Sequence, residues 1–206
     1  MGGTAIYRAI EEIIEKGRPI AAQALEAASV DIEFVDGDFQ VAGTDRSIGI
    51  FAVARLAREH GIRSKDGDIG LDTPHEFTRK AMTYPNGCHV AEVEIDPETG
   101  KTTVARYGAV DDYGVIVNPM VAAGQVHGAI AQGIGQALLE HGVYDGASGQ
   151  LLSGSFMDYA MPRADDLPFF DVAFNGVACV TNPLGVKGCG ESGAIAGFPA
   201  IANAIG

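Results

Sequence analysis

Along the opening residues Ile6, Ala9, Ile10, Ile13 and Ile14 recur at helical spacing, with Glu11, Glu12 and Glu15 on the other side. The period predicts an amphipathic helix over residues 4–15, closed by Gly17 and Pro19, and a second short helix over residues 21–28. Residues 31–35 and 39–42 then flank Asp36 and Gly37, the pair that a tight two-residue hairpin turn favours. Ser47 is placed to cap a third helix running to about His60. Residues 61–74 are polar, glycine-bearing and without a period, and read as a connection between two subdomains.

The second half opens with alternation. Val90, Val93 and Ile95 mark the apolar side of a strand over residues 88–95, residues 96–101 supply turn chemistry, and residues 102–110 form the return strand of a hairpin. Pro119 opens a helix to about Glu140, with Val126, Ile130, Ile134 and Leu138 four residues apart on its buried side. These elements predict an α+β fold of two subdomains with mixed sheets and packed helices. Residues 1–70 make up the first subdomain, helices plus a hairpin, and residues 71–206 the second.

Composition narrows the function classes. The 27 acidic residues against 14 Lys and Arg leave a formal charge of −13, which argues against a surface for nucleic acid or anionic membrane. No apolar stretch reaches the roughly 18 residues of a membrane span, and no basic start with an apolar stretch opens the chain, so a cytoplasmic address is expected. Cys88, Cys179 and Cys189 are widely spaced and contain no C-x-x-C pair, so neither a disulfide framework nor a cluster held by this chain is expected. Of 28 glycines, 17 fall from Gly108 onward, which directs the search for chemistry to that half.

Beside the apolar row of the long helix runs a second one, Gln125, Gly128, Gln132, Gly135 and Gln136, which puts carboxamides and bare backbone on one face. A carboxamide offers two donors and an acceptor, matching the mixed edge of a pterin or nucleobase. The same pattern also serves close helix packing across glycines with the glutamines in water. His127, one residue off that row, has no second His or carboxylate at metal spacing and reads as a surface or core histidine. Gly188, Gly190 and Gly193 formally satisfy G-x-G-x-x-G, but no acid follows about 20 residues later and Glu191 would oppose a pyrophosphate, so the dinucleotide fingerprint reads as a decoy. Glu191, held in a glycine turn at a helix start near Lys187, is instead placed to act as a general base or to stand as an exposed loop acid. The adjacent acids Asp111–Asp112 and Asp165–Asp166 are expected to be solvated or in turns.

Five motifs, YPNGCHVAEVEIDPETGK, VDDYGVIVNP, GQVHGAIAQGIGQALLE, GSFMDYAMPRADDLP and NPLGVKGCGESGAIAGFPAIANA, follow one another from Tyr84 onward. In order and spacing they resemble the molybdenum-binding large subunit of the xanthine dehydrogenase, aldehyde oxidase and carbon monoxide dehydrogenase family, and the start GGTAIYRA extends the likeness to nearly the whole chain. The resemblance implies a molybdenum hydroxylase that oxidises an aldehyde, an N-heterocycle or carbon monoxide with oxygen from water. It implies a molybdopterin cofactor, in its cytosine dinucleotide form, carrying molybdenum that no protein atom need bind, since the cofactor brings the hard chemistry. On the family's pattern the Glu of G-x-G-E, which falls on Glu191, takes the proton from the attacking hydroxyl. The Gln of G-Q-V-x-G, which falls on Gln125, contacts the cofactor, and Gly128, Gln132, Gly188 and Gly190 are expected beside it.

Large subunits of the family are several times longer, so the resemblance also implies partners: the N-terminal half of the large subunit, and separate chains carrying an iron–sulfur cluster and FAD. The chain by itself is then expected to hold little molybdenum and to be inactive. The rival reading is a non-catalytic binding or assembly module that keeps the fold; a nicotinamide-binding domain is a more distant third.

Overall fold

The first helix, α1 (Gly2–Ala24), does not stop at Gly17 or Pro19 and takes in the first half of the second helix expected after them. In the computed structural model, which describes residues 2–62 and 70–206, both residues lie inside it. Interior Gly costs about 1 kcal/mol and interior Pro about 3 kcal/mol. Against that, Ile20, Ala21 and Ala22 are buried together with Ile32 and Phe39, and each large apolar side chain contributes about 1.5–3 kcal/mol. Gly17 has a packing reason as well: a Cβ there would lie 2.5 Å from Cζ of Phe39, so the bare backbone makes room for that ring. The helix ends at Glu26, whose φ of 49° lets Ala27 N–H reach the Ala22 carbonyl at 2.9 Å, a Schellman closure.

Two strands, β1 (Ile32–Val35) and β2 (Asp38–Val41), form the expected hairpin around Asp36 and Gly37, whose φ values of 50° and 93° are those of a type I′ turn. The helix expected from Ser47 begins later. Residues 47–49 are a third strand, β3 (Ser47–Gly49), antiparallel to β2, and α2 (Ile50–Glu59) follows with Gly49 at its N-cap and no side-chain cap. The apolar side of Ile48 is used against the sheet before the helical period starts.

By contacts the chain divides into units Met1–Lys80 and Ala81–Gly206. The first unit continues past residue 70, where the sequence sets its boundary. Leu71 is buried in the core of this unit, Lys16 donates to the Thr73 hydroxyl at 3.0 Å, and Arg58 pairs with Asp72 at 3.1 Å. Of the expected connection over residues 61–74, residues 63–69 lie outside the described residues.

The second unit is a three-stranded mixed sheet with helices against it. Strands β4 (Asn86–Ile95) and β5 (Thr102–Asp112) are antiparallel with a bulge at Glu92/Val93, and β6 (Phe170–Phe174) pairs parallel to β5, giving the order β4-β5-β6. The turn between β4 and β5 is tied by Asp96, whose carboxylate accepts from the Glu98 N–H at 2.8 Å and is held below the usual carboxylate range by that bond. Helix α3 (Pro119–Leu138) starts with Pro119 at its first turn, and Asn118 accepts from the Val121 N–H at 3.1 Å as its N-cap. Val126, Ile130 and Ile134 face the core with Tyr107, Phe170 and Ile201 of the last helix, α4 (Ser192–Ile205).

Helices α3 and α4 meet backbone to backbone. A Cβ on Gly133 would lie 2.8 Å from the Phe198 nitrogen and 2.9 Å from the Gly197 Cα, and one on Gly193 would lie 2.8 Å from the Val126 oxygen. Larger residues would have to push the helices apart. Gly133→Ala is therefore expected to destabilise the fold by about 1–3 kcal/mol. Gly128→Ala, whose Cβ would meet nothing within 4 Å, is expected to be neutral or to gain up to about 1 kcal/mol from helix propensity. Urea midpoints of the two variants measure the difference, and equal midpoints would contradict the packing assignment.

Candidate functional site

The face of α3 that carries the amides is turned away from the core. Gln125, Gly128, Gln132 and Gln136 are exposed. Gly135, assigned to the same row, is buried, with Pro162 and the Glu140 carboxylate in the space a side chain would need. His127 stands edge-on to Phe170 at 5.7 Å between ring centroids, a packing role.

The other half of the candidate site is the segment entering α4. Gly188, Gly190 and Glu191 are exposed, and Glu191 occupies the N-cap position with its carbonyl accepting from Ala194 and Ile195 at 3.1 and 3.0 Å. No strand precedes this turn directly, since β6 ends at Phe174. Gly193 serves helix packing. Because Gly193 lies against Val126, Ala129 and Ile130 while Gly197 lies against Ile130 and Gly133, the two helices run in the same sense. The start of α4 is thereby set beside the turn of α3 that carries Gln125 and Gly128. Gln132, seven residues on, lies about 10 Å further along the helix.

The glycines separate into two groups. Gly133, Gly193 and Gly197 are required by packing, whereas a Cβ at Gly124, Gly128, Gly188 or Gly190 would meet nothing within 4 Å, and none of these four has a positive φ. Neither sterics nor backbone conformation within the unit calls for glycine at those four positions. Bare backbone on an exposed surface leaves room for a flat ligand to approach closely. Away from this surface, a cleft of about 390 Å³ between the β4–β5 turn and the C-terminal end of α3 is lined by residues such as Lys101, Leu138 and Asp166.

Asp111 and Asp112 are not solvated. Asp111 is 2% exposed and Asp112 9%. Asp112 accepts from Lys187 Nζ at 2.5 Å, from Gly114 N–H at 2.8 Å and from Val177 N–H at 3.0 Å. Lys187 first, then those two amides, hold its carboxyl well below the usual carboxylate range. Asp111, on the opposite face of β5, accepts from the Tyr113 hydroxyl at 2.8 Å and meets His89 Nε2 at 3.1 Å. A carboxylate only accepts, so Nε2 carries the hydrogen; Nδ1 pairs with the Tyr107 hydroxyl at 2.9 Å. Burial, then the Asp111 charge, pushes the Tyr107 phenol up to about 12. Tyr113 is raised by burial and by its bond to Asp111, and the Ser192 hydroxyl beside it opposes part of that rise.

These residues carry a sequence signal. Tyr107, Ala109, Asp111 and Tyr113 occupy alternate positions continuing the inward side of β5, so an acid in that row demands buried partners. Asp165 and Asp166, by contrast, are exposed, and Asp166 caps the Arg163 N–H at 2.9 Å.

Residues 1–168 match the family model of the molybdopterin cofactor-binding domain. The chain is 37% identical over 206 residues to the gamma subunit of the 6-hydroxypseudooxynicotine dehydrogenase complex of Paenarthrobacter nicotinovorans, covering 100% of this chain and 26% of that protein. It is 36% identical over 209 residues to the nicotine 6-hydroxylase large subunit of the same organism, covering 100% of this chain and 25% of the relative. The crystal structure of a Cu,Mo-CO dehydrogenase in its carbon monoxide reduced state superposes with a TM-score of 0.88 at 30% identity, over 100% of this chain and 26% of that one. The chain thus spans about a quarter of the length of the relatives it matches.

A phenol whose folded pKa is raised stabilises the fold fully below its unfolded pKa of about 10 and loses that contribution as pH rises through the folded value. Tyr107 is therefore expected to add stability that is complete at pH 8 and disappears between pH 10 and about 12. Absorbance titration of the phenolates, with Tyr107→Phe as the comparison, follows this. Ionisation of all six tyrosines with midpoints near 10 would contradict it.

Proposed function

Since the chain belongs to the molybdopterin cofactor-binding family, we propose that it supplies one wall of the cofactor site in the large subunit of a molybdenum hydroxylase, with Glu191 as general base. The observation that carries this reading is that Gly128, Gly188 and Gly190 are exposed and unexplained by packing within the unit, while Gly193 seats the helix that follows Glu191 on Val126, Ala129 and Ile130 of α3. Gln125 offers donor and acceptor to the pterin edge, Gly128 lets it lie close to α3, and Gly188 and Gly190 keep the approach to Glu191 free of side chains. Gln132 serves the more distant part of the same ligand, in keeping with the cytosine dinucleotide form.

When bound, the molybdenum group supplies the oxidation of a substrate carbon with oxygen from water. The chain's own part is to orient that group and to move a proton. Glu191 accepts it on a carboxylate oxygen from the attacking hydroxyl, the step for which a carboxylate presented by bare backbone is suited. The substrate is an aldehyde, an N-heterocycle or carbon monoxide. Of these the N-heterocycles are the first to test, because the two relatives at 37% and 36% identity are named for 6-hydroxypseudooxynicotine and nicotine. The remaining partners are the rest of the large subunit and chains bearing an iron–sulfur cluster and FAD.

In the complete enzyme, Glu191→Gln is expected to keep its molybdenum and to lose about 10²–10⁴-fold in turnover, measured with nicotine, quinoline, xanthine and carbon monoxide and a dye acceptor. Wild-type turnover in that variant would refute the base. A chain that pairs stably with a partner but recovers no molybdenum from the complex would favour the non-catalytic module instead.

A further inference from the structure

The turn that presents Glu191 is held at both ends, by an acid of β5 before it and by the crossing with α3 after it. Asp112 gathers Lys187, Gly114 and Val177, groups from three separate stretches of chain, around one carboxylate. Lys187 is held at its backbone as well, donating its N–H to the Tyr113 carbonyl at 2.8 Å, and its side chain is only 11% exposed. The residues just before it are tied to the same strand end: the Val115 N–H donates to the Gly185 carbonyl at 2.9 Å, and Asn182 brackets the turn by accepting from the Val186 N–H and donating to its carbonyl. On the other side, Gly193, the second residue after Glu191, packs against the Val126 carbonyl and the Ala129 side chain of α3. Lys187 is therefore fixed to the end of β5 and Gly193 to α3, while a Cβ on Gly188 or Gly190 between them would meet nothing within 4 Å.

We propose that Asp112 is a positioning residue for Glu191: its ion pair with Lys187, together with the seating of Gly193 on α3, holds the Glu191 turn in a single placement. The inference rests on Glu191 being the base. Two exposed glycines among the four residues 188–191 give the backbone wide freedom, and a proton acceptor on such a span works only if its ends do not move. Asp112 stays ionised because Lys187 and two amides favour its charged form, so the clamp persists across the neutral range.

The test uses the complete enzyme with Asp112→Asn, Lys187→Met, the double variant and Glu191→Gln. It employs whichever of nicotine, quinoline, xanthine or carbon monoxide the wild type oxidises, together with molybdenum analysis and deuterium uptake of residues 183–192. Asp112→Asn is expected to lower kcat about 10- to 100-fold, with KM and molybdenum content within about twofold. The acid limb of its kcat–pH profile is expected to move, and deuterium uptake in the turn to rise. Lys187→Met should reproduce these effects, and the double variant should be no worse than either single one, as two halves of one contact require. If Asp112→Asn fails to accumulate as folded protein, Lys187→Met decides the matter. An unchanged pH profile with wild-type kcat and deuterium uptake overturns the proposal, and so does loss of molybdenum in proportion to kcat. If Glu191→Gln is inactive while Asp112→Asn behaves as wild type, only the positioning role fails; if Glu191→Gln is active, the base assignment itself fails.

Discussion

The second unit depends on the contact between two helix backbones. Gly133 and Gly197 bring α3 and α4 together with no side chain between them, and Gly193 seats the first turn of α4 on the carbonyl of Val126. Interiors pack densely enough that even one added methyl at such a crossing must displace backbone. The consequence reaches the surface. With the start of α4 seated there, Glu191 enters its helix beside the amide face of α3. The buried side of the same crossing is filled by Val126, Ile130 and Ile201.

The glycines of this unit thus do two kinds of work that sequence spacing alone does not separate. One row allows helices to touch, and the other leaves open backbone facing outward. In the sequence Gly128 and Gly135 belong to one row, yet the first opens to solvent and the second lies under Pro162. Gly193, the last glycine of the apparent dinucleotide fingerprint, turns out to be a packing residue. The polar interior is just as divided. Two adjacent acids in one strand face opposite ways and hold different groups, Asp111 the Tyr113 hydroxyl and an imidazole, Asp112 a lysine and two backbone amides. Removing Lys187 would leave the buried Asp112 carboxylate without its counter-charge.

Much of this was legible from residue pattern. The Asp36–Gly37 hairpin, the β4–β5 hairpin and the long helix after Pro119 follow from local chemistry, and local chemistry is what a sequence states openly. Tertiary contacts overrode it elsewhere. Gly17 and Pro19 read as a stop, but the ring of Phe39 and the burial of Ile20 outweigh their cost within α1. Ser47 reads as a helix cap, but the pairing of residues 47–49 with β2 claims it for a strand. The paired acids read as solvated because their partners lie far away in the chain: His89 is 22 residues from Asp111, and Lys187 is 75 residues from Asp112. For the site, residue types and motif order pointed to Gln125 and Glu191, whereas the clamp around the Glu191 turn became visible only in three dimensions.

The claim on which the account rests is that the cofactor lies against the exposed surface shared by α3 and the start of α4. Anomalous diffraction at the molybdenum absorption edge, from crystals of the complete enzyme, tests it most directly. A single metal peak is expected on the side where Gln125 and Glu191 emerge, with the Glu191 carboxylate turned toward it. A peak on another face of this unit, or one screened from Glu191 by intervening protein, would contradict it.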